Sequence, residues 1–243
     1  MFDVNSLIAI LLSIPGVFLA LSVHECAHGW VSYKLGDPTA KNLGRLTLNP
    51  MKHIDIMGFI CMVLFGFGWA KAVPVNARYY KKPRGGMALV AAAGPLSNLM
   101  MSFIGLLCIF LIYLVYSLTA AEPITFNYIW TCICTQYPPV ASTLSVKLLY
   151  LIFLFFLQFA ILNVSLAVFN LIPIPPFDGS RIAYIFLPSK LYFGIMRYEQ
   201  YIMIAMFILL GFGAFSGVIS NVAFSILNGM LKLIQLIPVF QFM

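Results

Sequence analysis

LLSIPGVFLALSVHECAHGWV (11–31) is almost wholly apolar until it reaches His24, Glu25 and His28. A run of this length crosses a hydrocarbon core of about 30 Å at ~1.5 Å per residue, so it predicts a membrane-spanning helix. Ionisable groups are expensive inside such a helix, roughly 2.5–3.5 kcal/mol near the bilayer centre for the charged types. Three of them within five residues therefore point to chemistry. No basic stretch precedes the run, so it reads as a retained span and not as a cleaved signal.

The wider composition fits that reading, with 62% hydrophobic and only 9% charged residues, well outside the usage of soluble domains. Four windows, 6–33, 87–118, 148–172 and 200–220, are long enough to span. Two shorter runs stay open to re-entrant, interfacial or tilted placement. In 54–69, Gly58, Gly66 and Gly68 interrupt the pattern; in 222–240, Asn228, Lys232 and Pro238 do so. The fold expected is an α-helical polytopic membrane protein with about 4–6 transmembrane or re-entrant segments, forming one membrane-embedded domain over 1–243. After the first helix, TAKNLGRLTL (39–48) and WAKAVPVNARYY (69–80) suggest short membrane-associated β-strands or a hairpin. Pro74 would sit at an edge, where free backbone groups can hold an extended peptide. An ordinary interfacial loop is the alternative.

Charge gives the orientation. Of the 14 Lys and Arg, nine lie in 34–86 and three in 173–199, whereas 119–146 has none. The positive-inside rule places the two basic segments in the cytoplasm and 119–146 outside. The net charge of +7 is thus explained by membrane insertion, and nucleic-acid binding is excluded as a reading of it. The five cysteines are scattered, mostly in apolar segments, and make no disulfide framework.

Histidines at i and i+4 share one helix face about one turn apart, which offers a metal two nitrogen ligands. A neighbouring glutamate in such a His-Glu-x-x-His spacing is a general base toward a water acidified by Zn2+. A catalytic zinc takes a third protein ligand. Glu122 falls on the outer side and Glu199 at an interface; Asp37 in GDPT and Asp55 after His53 suit a turn and a helix start. Asp178 lies in NLIPIPPFDGSR (170–181), where three prolines exclude regular helix at the end of an apolar segment. Non-helical backbone at that depth is tolerated where it lines a wet cavity. A turn aspartate in D-G is the competing explanation, but His24, His28 and Asp178 all fall at cytoplasmic ends of spans and can meet.

HECAH (24–28), GRLTLNP (44–50) followed by His53, GPLSN (94–98) and NLIPIPPFDG (170–179) together resemble the site-2 protease family of intramembrane zinc metalloproteases. The resemblance covers most of the chain, in a compact form without a PDZ or CBS module. It implies that His24, His28 and Asp178 bind Zn2+, that Glu25 activates water, and that substrates are single-pass membrane proteins or membrane peptides cut within or beside their helix. It suggests that Asn98 and Asn170 position substrate or polarise the scissile carbonyl, with helix-to-helix hydrogen bonding as the alternative. His53 is open among a substrate contact, a support for a ligand, an alternative ligand and a plain surface residue. The location implied is a bacterial plasma membrane, with the site near the cytoplasmic face and with the lipid bilayer, a regulatory membrane partner or a second copy of the chain as further contacts. Two rivals are a metal transporter, disfavoured because other spans hold almost no ionisable residues, and an inert membrane scaffold of the same fold, disfavoured by intact motifs.

Overall fold

The structure is a computed structural model, and it describes residues 4–58, 61, 70–120, 124–135, 139 and 143–240. The chain is helical: α1 (Val4–Lys34), α2 (Pro83–Thr119), α3 (Phe126–Thr135), α4 (Leu144–Asn170), α5 (Asp178–Ala183), α6 (Ser189–Arg197), α7 (Glu199–Gly211) and α8 (Ser216–Gln235). Four stretches are long and apolar enough to cross a membrane, Leu11–Lys34, Pro83–Thr119, Leu144–Asn170 and Ser216–Gln235. Many large apolar side chains on them face outward, including Leu96, Leu111, Val115 and Val218, as lipid-facing helices require.

The first three spans fall where the apolar windows place them, and the fourth does not. The window 200–220 is broken after the 13 residues of α7, because Gly213 takes a positive φ of 70°. The Gly213 amide bonds the Leu210 carbonyl and the Ala214 amide bonds that of Leu209, a Schellman stop that closes the helix on a left-handed glycine. Residues 222–235 of the shorter run belong instead to α8, which Ser216–Gln235 makes long enough to span, and Pro238–Phe240 form a separate 3-10 turn. Most of the run 54–69 lies outside the described residues, as does Glu122.

No strand forms among the described residues. The expected strands or hairpin after α1 are replaced by a helical turn at Thr39–Asn42, one isolated bridge between Ile54 and Ala70, and an extended segment 71–76 that ends in a 3-10 turn at Ala77–Tyr79. The reason lies in the backbone donors. The Val73 amide is taken by the Glu25 carboxylate and the Asn76 amide by Asp37, while Pro74 has none to give. A ladder is thus pre-empted by side chains.

The chain divides into two compact units. One comprises 1–17, 100–164 and 224–243. Its centre is aromatic: the Phe126 ring lies 5.1 Å from both Phe110 and Tyr113, and Phe240 packs 5.4 Å from Phe110. Small residues bring α2 and α4 together, with Ser102 donating to the Ala160 carbonyl at 2.9 Å and Gly105 against Phe156 and Phe159, the close backbone approach that drives helix association in lipid. The other unit comprises 18–99 and 165–223 and contains every residue discussed below as a site.

A buried polar knot organises this second unit at the end of α1. Asp37 is fully buried and accepts from Ser32 Oγ, the Thr39 amide and hydroxyl, and the Asn76 amide. Ser32 also meets the Tyr80 hydroxyl at 2.7 Å. The knot fixes both ends of the 37–80 segment and thereby holds 71–76 alongside α1.

Candidate metal centre and active site

His24 and His28 lie one turn apart on α1, buried, with ring centroids 4.6 Å apart. Their Nδ1 atoms point away from each other toward α2. His28 Nδ1–H donates to the Val90 carbonyl at 2.7 Å and His24 Nδ1–H to Asn98 Oδ1 at 2.5 Å. With the proton on Nδ1, each neutral ring presents an Nε2 lone pair to the space between them.

Asp178 enters that space from α5. Chain direction there is set by the T-shaped contact of Phe169 and Phe177, with centroids 4.4 Å apart, which folds the 171–177 turn back on the end of α4. The Ser180 hydroxyl donates to the Phe177 carbonyl at 2.7 Å and closes the start of α5. Gly179 is obligatory here, since a Cβ would collide with the Leu171 and Ile172 carbonyls.

Asp178 Oδ2 then sits 3.2 Å from His24 Nε2 and 3.2 Å from His28 Nε2, and the two Nε2 atoms are 3.0 Å apart. Three acceptor atoms converge in a near-equilateral triangle, and Oδ2 is buried with no hydrogen bond. Lone pairs held this close repel one another unless a cation or proton lies among them. At metal–ligand distances of about 2.0–2.1 Å, one face of a tetrahedron has edges of roughly 3.3 Å. The donor set, its spacing and the orphaned oxygen all fit zinc. The three residues form a His-His-Asp cluster with metal-ligand reach.

Glu25 is buried on the same turn of α1. Its Oε2 accepts the Val73 amide at 2.8 Å, which orients the carboxylate and leaves the second oxygen for a proton. All four residues line a cavity of about 770 Å³, with Ala72, Val73 and Val75 from the extended segment along one side and Phe169, Met203 and Phe207 on apolar walls.

The remaining sequence candidates fall in different places. Asn170 lines this cavity, its Nδ2 donating to the Leu166 carbonyl at 3.0 Å. Asn98 is fully buried and meets the His24 ring. His53 lies apart from the cavity lining, buried, bonded through Nε2 to the Thr47 carbonyl at 2.8 Å. Its backbone carbonyl accepts the Lys71 amide, so it ties the 47–54 turn to the extended segment.

Gly94 was not among the candidates. A Cβ there would lie 2.5 Å from His24 Cε1, His28 Cε1 and His28 Nε2. The available signal was a glycine inside an apolar helical run, which costs roughly 0.5–1 kcal/mol against alanine and so asks for a packing reason.

The chain matches peptidase family M50 over residues 12–212. It is 38% identical over 193 residues to "Putative zinc metalloprotease YwhC" of Bacillus subtilis, covering 79% of this chain and 77% of that protein. It is 28% identical over 97 residues to "Putative zinc metalloprotease Rip2" of Mycolicibacterium smegmatis, covering 38% and 37% respectively. No solved structure matches.

Proposed function

This chain belongs to peptidase family M50, and we propose that it is an intramembrane zinc metalloendopeptidase that hydrolyses peptide bonds within or near the transmembrane segments of membrane-anchored substrates. The observation that carries the reading is the triangle of His24 Nε2, His28 Nε2 and Asp178 Oδ2, with the Glu25 carboxylate beside it in one cavity. His24, His28 and Asp178 would hold the ion, which when bound would supply a Lewis acid toward the scissile carbonyl and the attacking water.

The protein's own groups do the rest. Asn98 and Val90 fix both histidines as Nδ1–H tautomers, so that Nε2 is free to ligate. Glu25, oriented by the Val73 amide, takes a proton from water and returns it to the leaving amine. The cavity's apolar walls receive side chains of a locally unwound substrate helix, whose carbonyls are otherwise engaged within the helix. The backbone at Ala72, Val73 and Val75 lines one side of the cavity along that segment, and Asn170 in the cavity wall has an amide to offer the substrate.

The basic segments 34–86 and 173–199 support a cytoplasmic placement of this site in a bacterial plasma membrane, where water reaches it and a substrate helix arrives from the lipid. The test is to purify the wild type and Glu25→Gln, measure zinc in both, and assay cleavage of single-span peptides. Zinc retained with cleavage reduced about 10²–10⁴-fold is the expected result; equal cleavage by the variant refutes the role of Glu25.

A further inference from the structure

A second cavity, of about 220 Å³, opens beside the catalytic one. The two share Val75, Met87 and Arg181 in their linings, so they are parts of one depression. Arg181 stands three residues after Asp178 on α5, which places the second cavity one helical turn from the ligand carboxylate. The same lining includes Arg84, at the first turn of α2. Among the described lining residues there are two guanidinium groups and no carboxylate.

Arg181 is held in place. Its Nη2 donates to Glu199 at 2.7 Å, and the guanidinium lies 5.8 Å from the Tyr184 ring centroid. A planar guanidinium so fixed keeps further N–H groups for a carboxylate. The extended segment supplies a ruler. Val73 marks Glu25, Val75 lies two residues on in the shared lining, and Ala77 lines the second cavity. At ~3.3 Å per extended residue, a peptide running beside this segment reaches the arginines about two to four residues from the scissile bond.

We propose that this cavity is a specificity subsite, taking an acidic side chain of the substrate two to four residues from the cleaved bond on its cytoplasmic flank. The inference rests on the protease reading above. Its selective value follows from membrane topology: ordinary spans carry Lys and Arg on their cytoplasmic flanks, and those meet a lining that offers guanidinium groups and no carboxylate, the nearby Glu199 being engaged by Arg181. The subsite therefore spares most resident membrane proteins and admits those with an acidic residue where basic ones are usual.

The test uses one apolar single-span peptide with Asp, Asn or Lys placed in turn at each flank position, the cleaved bond being mapped by mass spectrometry. Wild-type protein in phosphatidylcholine vesicles is expected to show a kcat/KM for Asp over Asn about five- to tenfold above one at the best position, with Lys poorer still, as one charge-assisted contact at a half-exposed site gives. Arg84→Glu is expected to abolish the Asp preference and favour Lys. Equilibrium binding of the same labelled peptides to Glu25→Gln gives the ratio without turnover. Should no peptide be cut while Asp still binds more tightly than Asn, the protease reading fails and the pocket stands only as a binding site for an acidic side chain. Equal rates and equal binding for Asp, Asn and Lys overturn the subsite and leave the protease reading intact. An Arg84→Glu effect that depends on phosphatidylglycerol in the vesicle but not on the peptide charge also overturns it, assigning the pocket to a lipid headgroup.

Discussion

Alanine at residue 94 should disable the metal site while improving the helix that carries it. Alanine in place of glycine within a helix ordinarily stabilises by about 0.5–1 kcal/mol, because it narrows the unfolded ensemble. In α2, however, the new methyl would lie 2.5 Å from atoms of both His24 and His28, whereas ordinary contact begins at 3.4 Å. The two rings, or the two helices, must separate by about 1 Å, several times the ~0.2 Å tolerance of metal–ligand distances. Neither ring can simply slide, since Val90 and Asn98, on the same helix as the methyl, hold their Nδ1 atoms. Zinc affinity is expected to fall about 100-fold or more, ~2.7 kcal/mol, at the upper end of what disturbed ligand support costs. Competition against a chromophoric chelator on detergent-solubilised protein measures this directly, with Gly229→Ala, where the structure has nothing within 4 Å, as the control. Zinc binding by Gly94→Ala within about threefold of wild type, with an unchanged or raised melting temperature, would refute the geometry of the α1–α2 contact at the histidines.

Asn98→Ala leaves His24 Nδ1 without its acceptor, and zinc affinity should drop about 10–100-fold with the fold retained; an unchanged affinity would show that His24 needs no such support. A chelator should lower the melting temperature of the wild type and leave that of Asp178→Ala nearly unmoved, because only a competent site couples metal to folding. Asp37→Asn should destabilise by about 2–4 kcal/mol, since a buried carboxylate with four donors loses its charge. Burial raises the pKa of Asp37, but hydrogen bonds from Thr39, Asn76 and Ser32 outweigh it and hold the carboxyl below its ordinary value. A lowered folded-state pKa means stability that is fully present above the unfolded value of about 3.9 and lost as pH falls through the folded one. The gap in melting temperature between wild type and Asp37→Asn should thus be flat above about pH 5 and narrow progressively as pH falls below about 4; a gap that stays undiminished from pH 5 down to about pH 2 would contradict it.

What could be read from the sequence was whatever is written in spacing. His24 and His28 reveal their shared face because i and i+4 coincide on any helix, and Asp178 stands out because prolines make its neighbourhood non-helical in an apolar context. What escaped depends on contacts between distant segments. The 69–80 segment has strand-like composition, yet its amides are captured by Glu25 and Asp37, and neither pairing has a local signature. Hydropathy weighted 200–220 over 222–240, although one glycine at a left-handed φ decides where a helix stops. Asn98 was noticed for its amide, but its partner, a histidine 74 residues earlier, depends on how α1 crosses α2. Gly94 is visible only as a missing side chain, and its meaning comes from what approaches it.

The separation of the donors along the chain orders events in biogenesis. Two donors emerge with the first span, and the third follows 150 residues after His28, beyond the turn closed by Phe169 and Phe177. A ribosome still translating the first three spans carries a chain that has both histidines but cannot retain the ion. Metal retention thus reports that the turn after the third span has folded back on the first, and a chain arrested before Asp178 is inserted in the membrane without becoming a hazard to its neighbours.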